Sequence, residues 1–198
     1  KAHKLLLDCG IWTIYRNPHP SRWGLSTQSA TERLRCPQES ERTKVDHIAY
    51  AIDSEWSTDP DDAIAFDGTY VWVHIADPAD TVLPDSAIDK AARSRGATLY
   101  IPEGASRMLA EESLTDYALG LPENGEAAIG GAYSRALSFR IKLNDDGAIE
   151  ETSVLKTKVR VQRLTYAQAD AQSSGDLAAL FKIADKNIER RKAAGAVF

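Results

Sequence analysis

Cysteine is nearly missing from this 198-residue chain: only Cys9 and Cys36 occur, far apart and in no Cys-x-x-Cys pair. A disulfide framework and a zinc finger or ribbon are therefore not expected, and a reducing cytoplasm is the expected compartment. No apolar run approaches the roughly 20 residues of a bilayer-crossing helix. The N-terminus also lacks the continuous apolar core of a secretory leader, so no membrane partner is expected. Internal repeats and low-complexity segments are absent as well. Methionine occurs once, at position 108, and the chain runs from Lys1 to Ala196-Val197-Phe198 without a helix-stop signal. The expectation is part of a longer polypeptide.

An apolar fraction of 43% with 27% charged residues describes a globular protein able to bury a core. The length fits one large domain, or one domain with a small appendage. Residues 1–46 form a segment of their own, the possible remnant of a preceding module. In it an apolar stretch, Ile11 to Tyr15, precedes turn-rich Asn17-Pro18-His19-Pro20-Ser21, and Ser26 to Asp46 reads as a linker or exposed loop. Trp12, Tyr15, Arg16, Arg22 and Trp23 can pack as an aromatic cluster or clasp RNA. From residue 47 the signals belong to the main domain. Ile48 to Ile52 reads as a strand, Ala63–Phe66 and Tyr70–Ala76 as a hairpin about Asp67-Gly68, and Asp85 to Ala92 as a helix ending near Gly96. Leu99 to Pro102 is extended. A second hairpin runs from Leu137 to Leu143 and from Ile149 to Val161 about Asp145-Asp146-Gly147. Thr165 and Asp176 then cap two helices. Hairpins with interposed helices predict an α/β domain with a mixed β-sheet and flanking helices.

The chemistry concentrates in Ile52-Asp53-Ser54-Glu55-Trp56-Ser57-Thr58-Asp59-Pro60-Asp61-Asp62, where four aspartates and a glutamate meet no lysine or arginine. Gathered by folding, such carboxylates raise one another's pKa values unless cations are present. Hard oxygen ligands suit Mg²⁺ or Mn²⁺, and a site holding two such ions is a common solution for phosphodiester hydrolysis. The bland alternative is a solvated acidic loop. An EF-hand is excluded by the spacing of glycine and glutamate. The net charge of −5 neither supports nor opposes a nucleic-acid ligand. A basic surface is the usual partner of a phosphate backbone, but bound divalent ions would reverse the sign of the acidic run.

The pattern Asp-x5-Asp-x-Asp-Asp followed by Val73-His74-Ile75-Ala76-Asp77 resembles the catalytic RNB domain of the ribonuclease II/R family. Ala87 to Gly96, Leu99-Tyr100-Ile101-Pro102, and Met108-Leu109 to Leu114-Thr115-Asp116 follow in the family's order. The likeness covers roughly Asp46 to Phe198, the N-terminal half of such a domain. It implies a metal-dependent 3′-to-5′ exoribonuclease that hydrolyses single-stranded RNA to nucleoside 5′-monophosphates. Asp53, Asp59, Asp61 and Asp62 are the implied metal ligands, with Asp61 also essential for catalysis. Tyr100 is implied to stack on the 3′-terminal base, and Tyr166, after Arg163-Leu164-Thr165, to help choose RNA over DNA.

Other basic and polar positions carry less. Lys156, Lys158 and Arg160 share one strand face, and Lys186, Arg190, Arg191 and Lys192 form a patch on the last helix. Each group reads as a solvated face or as a phosphate contact. His74 reads as a satisfied core residue, and Asp77 has no role from sequence. Tyr117 to Leu121 stands where the family often carries cysteine, a tolerated packing change. The family's catalytic arginine, a second base-clamping aromatic and an OB-type RNA-binding domain are expected beyond Phe198, in the remainder of the polypeptide. This chain alone is then expected to be inactive or feeble. The rival readings are a catalytically incomplete RNB-derived RNA-binding module and a cation-binding structural domain unrelated to RNA.

Overall fold

The computed structural model describes residues 1–34, 41–113, 117–120, 133–172 and 174–197. Leu114-Thr115-Asp116, Leu121 and Cys36 lie outside them. The chain gathers into two compact units, residues 1–35 with 82–113, and residues 36–81 with 114–198. Residues 82–113, read from sequence as part of the main domain, thus gather with the N-terminal segment.

The larger unit is a closed barrel of five strands. β1 (Thr43–Asp53), β2 (Asp62–Phe66) and β3 (Val71–Ala76) come first, and the long strands β6 (Tyr133–Leu143) and β7 (Ile149–Thr165) complete it in the order β1-β2-β3-β6-β7. Neighbours run antiparallel except at the closing seam, where β1 lies parallel to β7 and Asp53 faces Thr165. The expected mixed sheet is present, and its closure leaves no free edge.

Alternation along the strands places Ala49, Ala51, Ala63, Ala65, Ala76, Ala136, Val159 and Val161 in the barrel core. The opposite phase of β1 and β2 contributes Tyr50, Ile52, Ile64 and Phe66 to a second core. There they meet Leu164, near the end of β7, and Ala169, Leu177 and Leu180 of the C-terminal helices. Small side chains inside and large ones outside suit a narrow barrel covered by helices. Those helices are the short Tyr166–Asp170, capped by a reciprocal Thr165–Gln168 box, and the long Gly175–Ala193. Asp176 lies in the first turn of the long helix, whose N-cap is Ser174 rather than Asp176.

The first hairpin turns one residue later than read from sequence. The Asp67 N–H donates to the Tyr70 carbonyl (3.2 Å), which makes Gly68-Thr69 the central pair. The Asp67 carboxylate turns inward to accept from the N–H groups of Thr69 (2.9 Å) and Tyr70 (2.8 Å) and from the Trp72 indole (2.7 Å). Burial pushes Asp67 up, but these bonds, with the charge of His47, outweigh it and hold Asp67 below the usual carboxylate range.

His74 is the core residue expected. It is fully buried, with Nδ1 2.6 Å from Ser138 Oγ and Nε2 3.0 Å from His47 Nε2, and Ser138 continues to Thr157 Oγ1 (2.6 Å). Burial, with the charge of His47 adding to it, pushes His74 down to about 3.

In the smaller unit, α1 (Ala2–Asp8) and the single turn α2 (His19–Arg22) precede α3 (Ala87–Arg95), which Ser86 caps by accepting from the Asp89 N–H (3.2 Å). Sequence reading missed α1, and Ile11 to Tyr15 follow it in irregular structure. β4 (Leu99–Ile101) pairs with β5 (Gly104–Ser106) as a two-stranded ribbon. Residues 26–34 are not a free linker. Ala30 N–H donates to the Arg107 carbonyl (3.1 Å), Leu34 N–H to Ser113 Oγ (2.9 Å), and the Ala30 and Leu34 side chains are buried.

Candidate active site

The acidic run lies at one end of the barrel, in the connection from β1 to β2. Asp53 is the last residue of β1 and Asp62 the first of β2. Between them the backbone is fixed at several points. Ser57 N–H donates to the Ser54 carbonyl (3.1 Å), Leu119 N–H to the Pro60 carbonyl (2.8 Å), and Ala76 N–H to the Asp61 carbonyl (2.8 Å). Arg163, from β7, donates to the Ser57 carbonyl (2.6 Å). Gly120 makes this support possible: at φ +65° it lies so close to β7 that a Cβ would sit 3.2 Å from the Arg163 Cγ and the Val161 carbonyl.

The carboxylates differ in electrostatic state. Asp53 is held below the usual range by hydrogen bonds from the Ser57 hydroxyl and the Ser54 N–H (2.7 Å). The Arg163 charge and the Tyr166 hydroxyl assist, and slight burial opposes. Asp61 is pushed up, first by partial burial of its carboxyl and then by the charge of Asp62. Asp59 and Asp53 add to the push, and its own backbone N–H opposes it. The residue as a whole nevertheless remains exposed. Folding has therefore gathered the aspartates closely enough to repel.

The donor set consists of hard carboxylate oxygens that repel one another around Asp61, which fits a divalent cation in chemistry. Among the described residues, no three acidic, histidine or cysteine side chains form a group spaced to hold a metal. The fit is thus one of charge and donor type, with the ligands not drawn into a shell.

Tyr166 opens the short helix after β7, is 59% exposed and donates its hydroxyl to Asp53. Tyr100 belongs to the ribbon of the smaller unit and is 72% exposed. Lys156, Lys158 and Arg160 do alternate with the buried Thr157 and Val159. Lys156 donates to Asp80 (2.7 Å) and Arg160 to the Asp46 carbonyl (2.7 Å), both within the protein. On the last helix, Lys186 and Arg190 donate to the carbonyls of Asp145 (3.2 Å) and Gly147 (2.7 Å), tying down the β6–β7 turn. Sequence reasoning missed Arg163 as the anchor of the acidic loop. Its position three residues before Tyr166 was the only available signal.

The family model for the RNB domain matches residues 42–198. The chain belongs to the RNB domain family. Among curated RNB relatives, an uncharacterized ribonuclease of Synechocystis is 26% identical, over 100% of this chain and 32% of its own length. The chloroplastic/mitochondrial ribonuclease II of Arabidopsis thaliana is 29% identical, over 85% of this chain and 22% of its own. The chain thus spans about a third or less of these relatives. Of solved structures, Mycoplasma genitalium RNase R in complex with ribose-methylated single-stranded RNA superimposes with a TM-score of 0.65. That match is at 20% identity and covers 81% of this chain and 27% of that one. Yeast Ssd1, a pseudonuclease, superimposes at 0.59 with 19% identity, covering 76% and 19%. These likenesses establish the RNB fold.

Proposed function

We propose that this RNB chain is part of a 3′-to-5′ exoribonuclease that hydrolyses single-stranded RNA to nucleoside 5′-monophosphates with Mg²⁺ or Mn²⁺. The observation that carries the reading is Asp61, raised by partial burial and by Asp62, Asp59 and Asp53, on a loop anchored from three sides. Such charge is costly without a ligand. The ribonuclease names of the Synechocystis and Arabidopsis relatives support the substrate class, as does the RNA bound to the Mycoplasma protein.

In this reading Asp53, Asp59, Asp61 and Asp62 hold the cations. When bound, these supply a nucleophilic hydroxide near neutral pH and stabilise the departing 3′ oxygen. Asp61 positions the attacking water. The Tyr166 hydroxyl and Arg163 fix Asp53 and the loop behind it, and Tyr100 stacks on the terminal base. The rest of the polypeptide supplies the catalytic arginine and the OB-type domain, and the cytoplasm is the proposed setting.

A second reading, an RNA-binding chain without turnover, has the fold of the pseudonuclease Ssd1 in its favour. Hydrolysis of 3′-labelled single-stranded RNA separates the two. The enzyme reading expects label release as mononucleotide with Mg²⁺, abolished by EDTA and reduced at least a hundredfold by Asp61→Asn. RNA bound but never cut by the intact polypeptide would establish the second.

A further inference from the structure

Trp56 is 82% exposed, and among the described residues its indole has no aromatic or cationic partner. A single exposed apolar side chain is ordinary on a protein surface, so exposure alone decides nothing. The setting decides more. Trp56 stands inside the Ser54–Ser57 turn, closed by the Ser57 N–H to Ser54 carbonyl bond (3.1 Å). Arg163 grips the Ser57 carbonyl at 2.6 Å, and the Ser57 hydroxyl donates to Asp53. The turn is therefore fixed at both ends, and an indole is mounted on it between Asp53 and Asp59. Its immediate neighbours in sequence are Glu55 and Ser57, so no cation on the turn competes for the ring.

We propose that Trp56 is a stacking platform for an unpaired RNA base next to the scissile phosphate. This proposal rests on the RNA-hydrolysing reading of the acidic loop. The chemistry matches the position. A phosphodiester drawn to the aspartates through divalent cations carries a base on either side of it. An indole on a rigid turn offers a large flat face at little entropic cost. Stacking is indifferent to base identity, as required of an enzyme that degrades RNA of any sequence. Arg163 acts as the positioning residue, because the turn loses its outer anchor without it.

The test is binding of a fluorescent single-stranded RNA with a free 3′ end, its last linkages made non-hydrolysable so that turnover does not intrude, followed by anisotropy in Mg²⁺. Trp56→Ala, Trp56→Phe and the unaltered protein are compared, each also with RNA whose last bases are replaced by abasic sites. The expected result is about 5- to 150-fold weaker binding for Trp56→Ala, the range of one base–aromatic stack. Trp56→Phe should stay within a few-fold, and the abasic RNA should bind all three proteins alike. Equal binding of normal RNA by Trp56→Ala and the unaltered protein overturns the stacking role while leaving the nuclease reading intact. No binding by the unaltered protein overturns both. A lowered unfolding midpoint for Trp56→Ala with RNA affinity unchanged shows the ring to be covered by protein, and that also overturns it.

Discussion

Two groups of carboxylates lie in the larger unit, and the chain treats them in opposite ways. At the first, the Arg42 side chain is fully buried and donates through Nη2 to Asp77 (2.8 Å) and Asp80 (2.9 Å), with Lys156 closing on Asp80 from outside (2.7 Å). Burial pulls the Arg42 guanidinium down, but its bonds to Asp77 and Asp80 and their charges outweigh this and raise it. Asp80 falls to about 2 under the Lys156 and Arg42 hydrogen bonds. At the second group, Asp61 rises, first through partial burial of its carboxyl and then through the charges of Asp62, Asp59 and Asp53. The same residue type is thus ion-paired in one group and held in mutual repulsion about Asp61 in the other.

Breaking the compensated group should have the largest effect on stability. Arg42→Met leaves the Asp77 side chain buried without its cation and Asp80 with Lys156 alone. It is expected to cost about 3–5 kcal/mol, measured by chemical denaturation. A loss below about 1 kcal/mol would mean that the group is not a buried ion cluster in solution.

The next effect belongs to the buried histidine chain. His74 has a folded value of about 3, below the 6.5 of the free side chain, so the unfolded chain takes up the proton first. Stability is therefore highest above about pH 6.5 and falls as the pH drops toward 3, by about 1.4 kcal/mol per unit for one such group. His47, also lowered by burial, acts in the same direction. Denaturation midpoints from pH 7 to 4.5 should show the slope, and His74→Gln should flatten it.

Smaller effects sharpen the contrast. Lys156→Met removes only the half-exposed arm of the Asp80 cluster and should cost no more than about 1 kcal/mol at neutral pH. Asp61→Asn should leave the unfolding midpoint unchanged or slightly higher, because the raised carboxyl is penalised in its charged form at neutral pH. A marked loss of stability in Asp61→Asn would place Asp61 among the structural aspartates.

The acidic loop was readable because its charge, its spacing and the ordered segments after it occur close together in sequence. The strand assignments from Ile48 onward were readable from alternation in the same way. Closure of the barrel was not, since it depends on parallel pairing of Thr43 with Thr157 and Asp53 with Thr165. Arg42 gave no local signal: in sequence it sits in a polar stretch, and only the carboxylates of Asp77 and Asp80 explain its burial. Residues 82–113 gather with the N-terminal segment through bonds such as Arg95 to the Gln28 carbonyl (2.8 Å), which join residues far apart in the chain. The Arg163 anchor stayed hidden for the same reason, because its partner is a backbone carbonyl more than a hundred positions away.

The central claim is that the aspartates gathered about Asp61 are a cation site serving RNA, and calorimetric titration with Mg²⁺ tests it most directly. The account predicts saturable Mg²⁺ binding that tightens when single-stranded RNA with a free 3′ end is present and is lost in Asp61→Asn together with Asp62→Asn. Mg²⁺ binding that ignores the RNA, or that survives loss of both carboxylates, would contradict it.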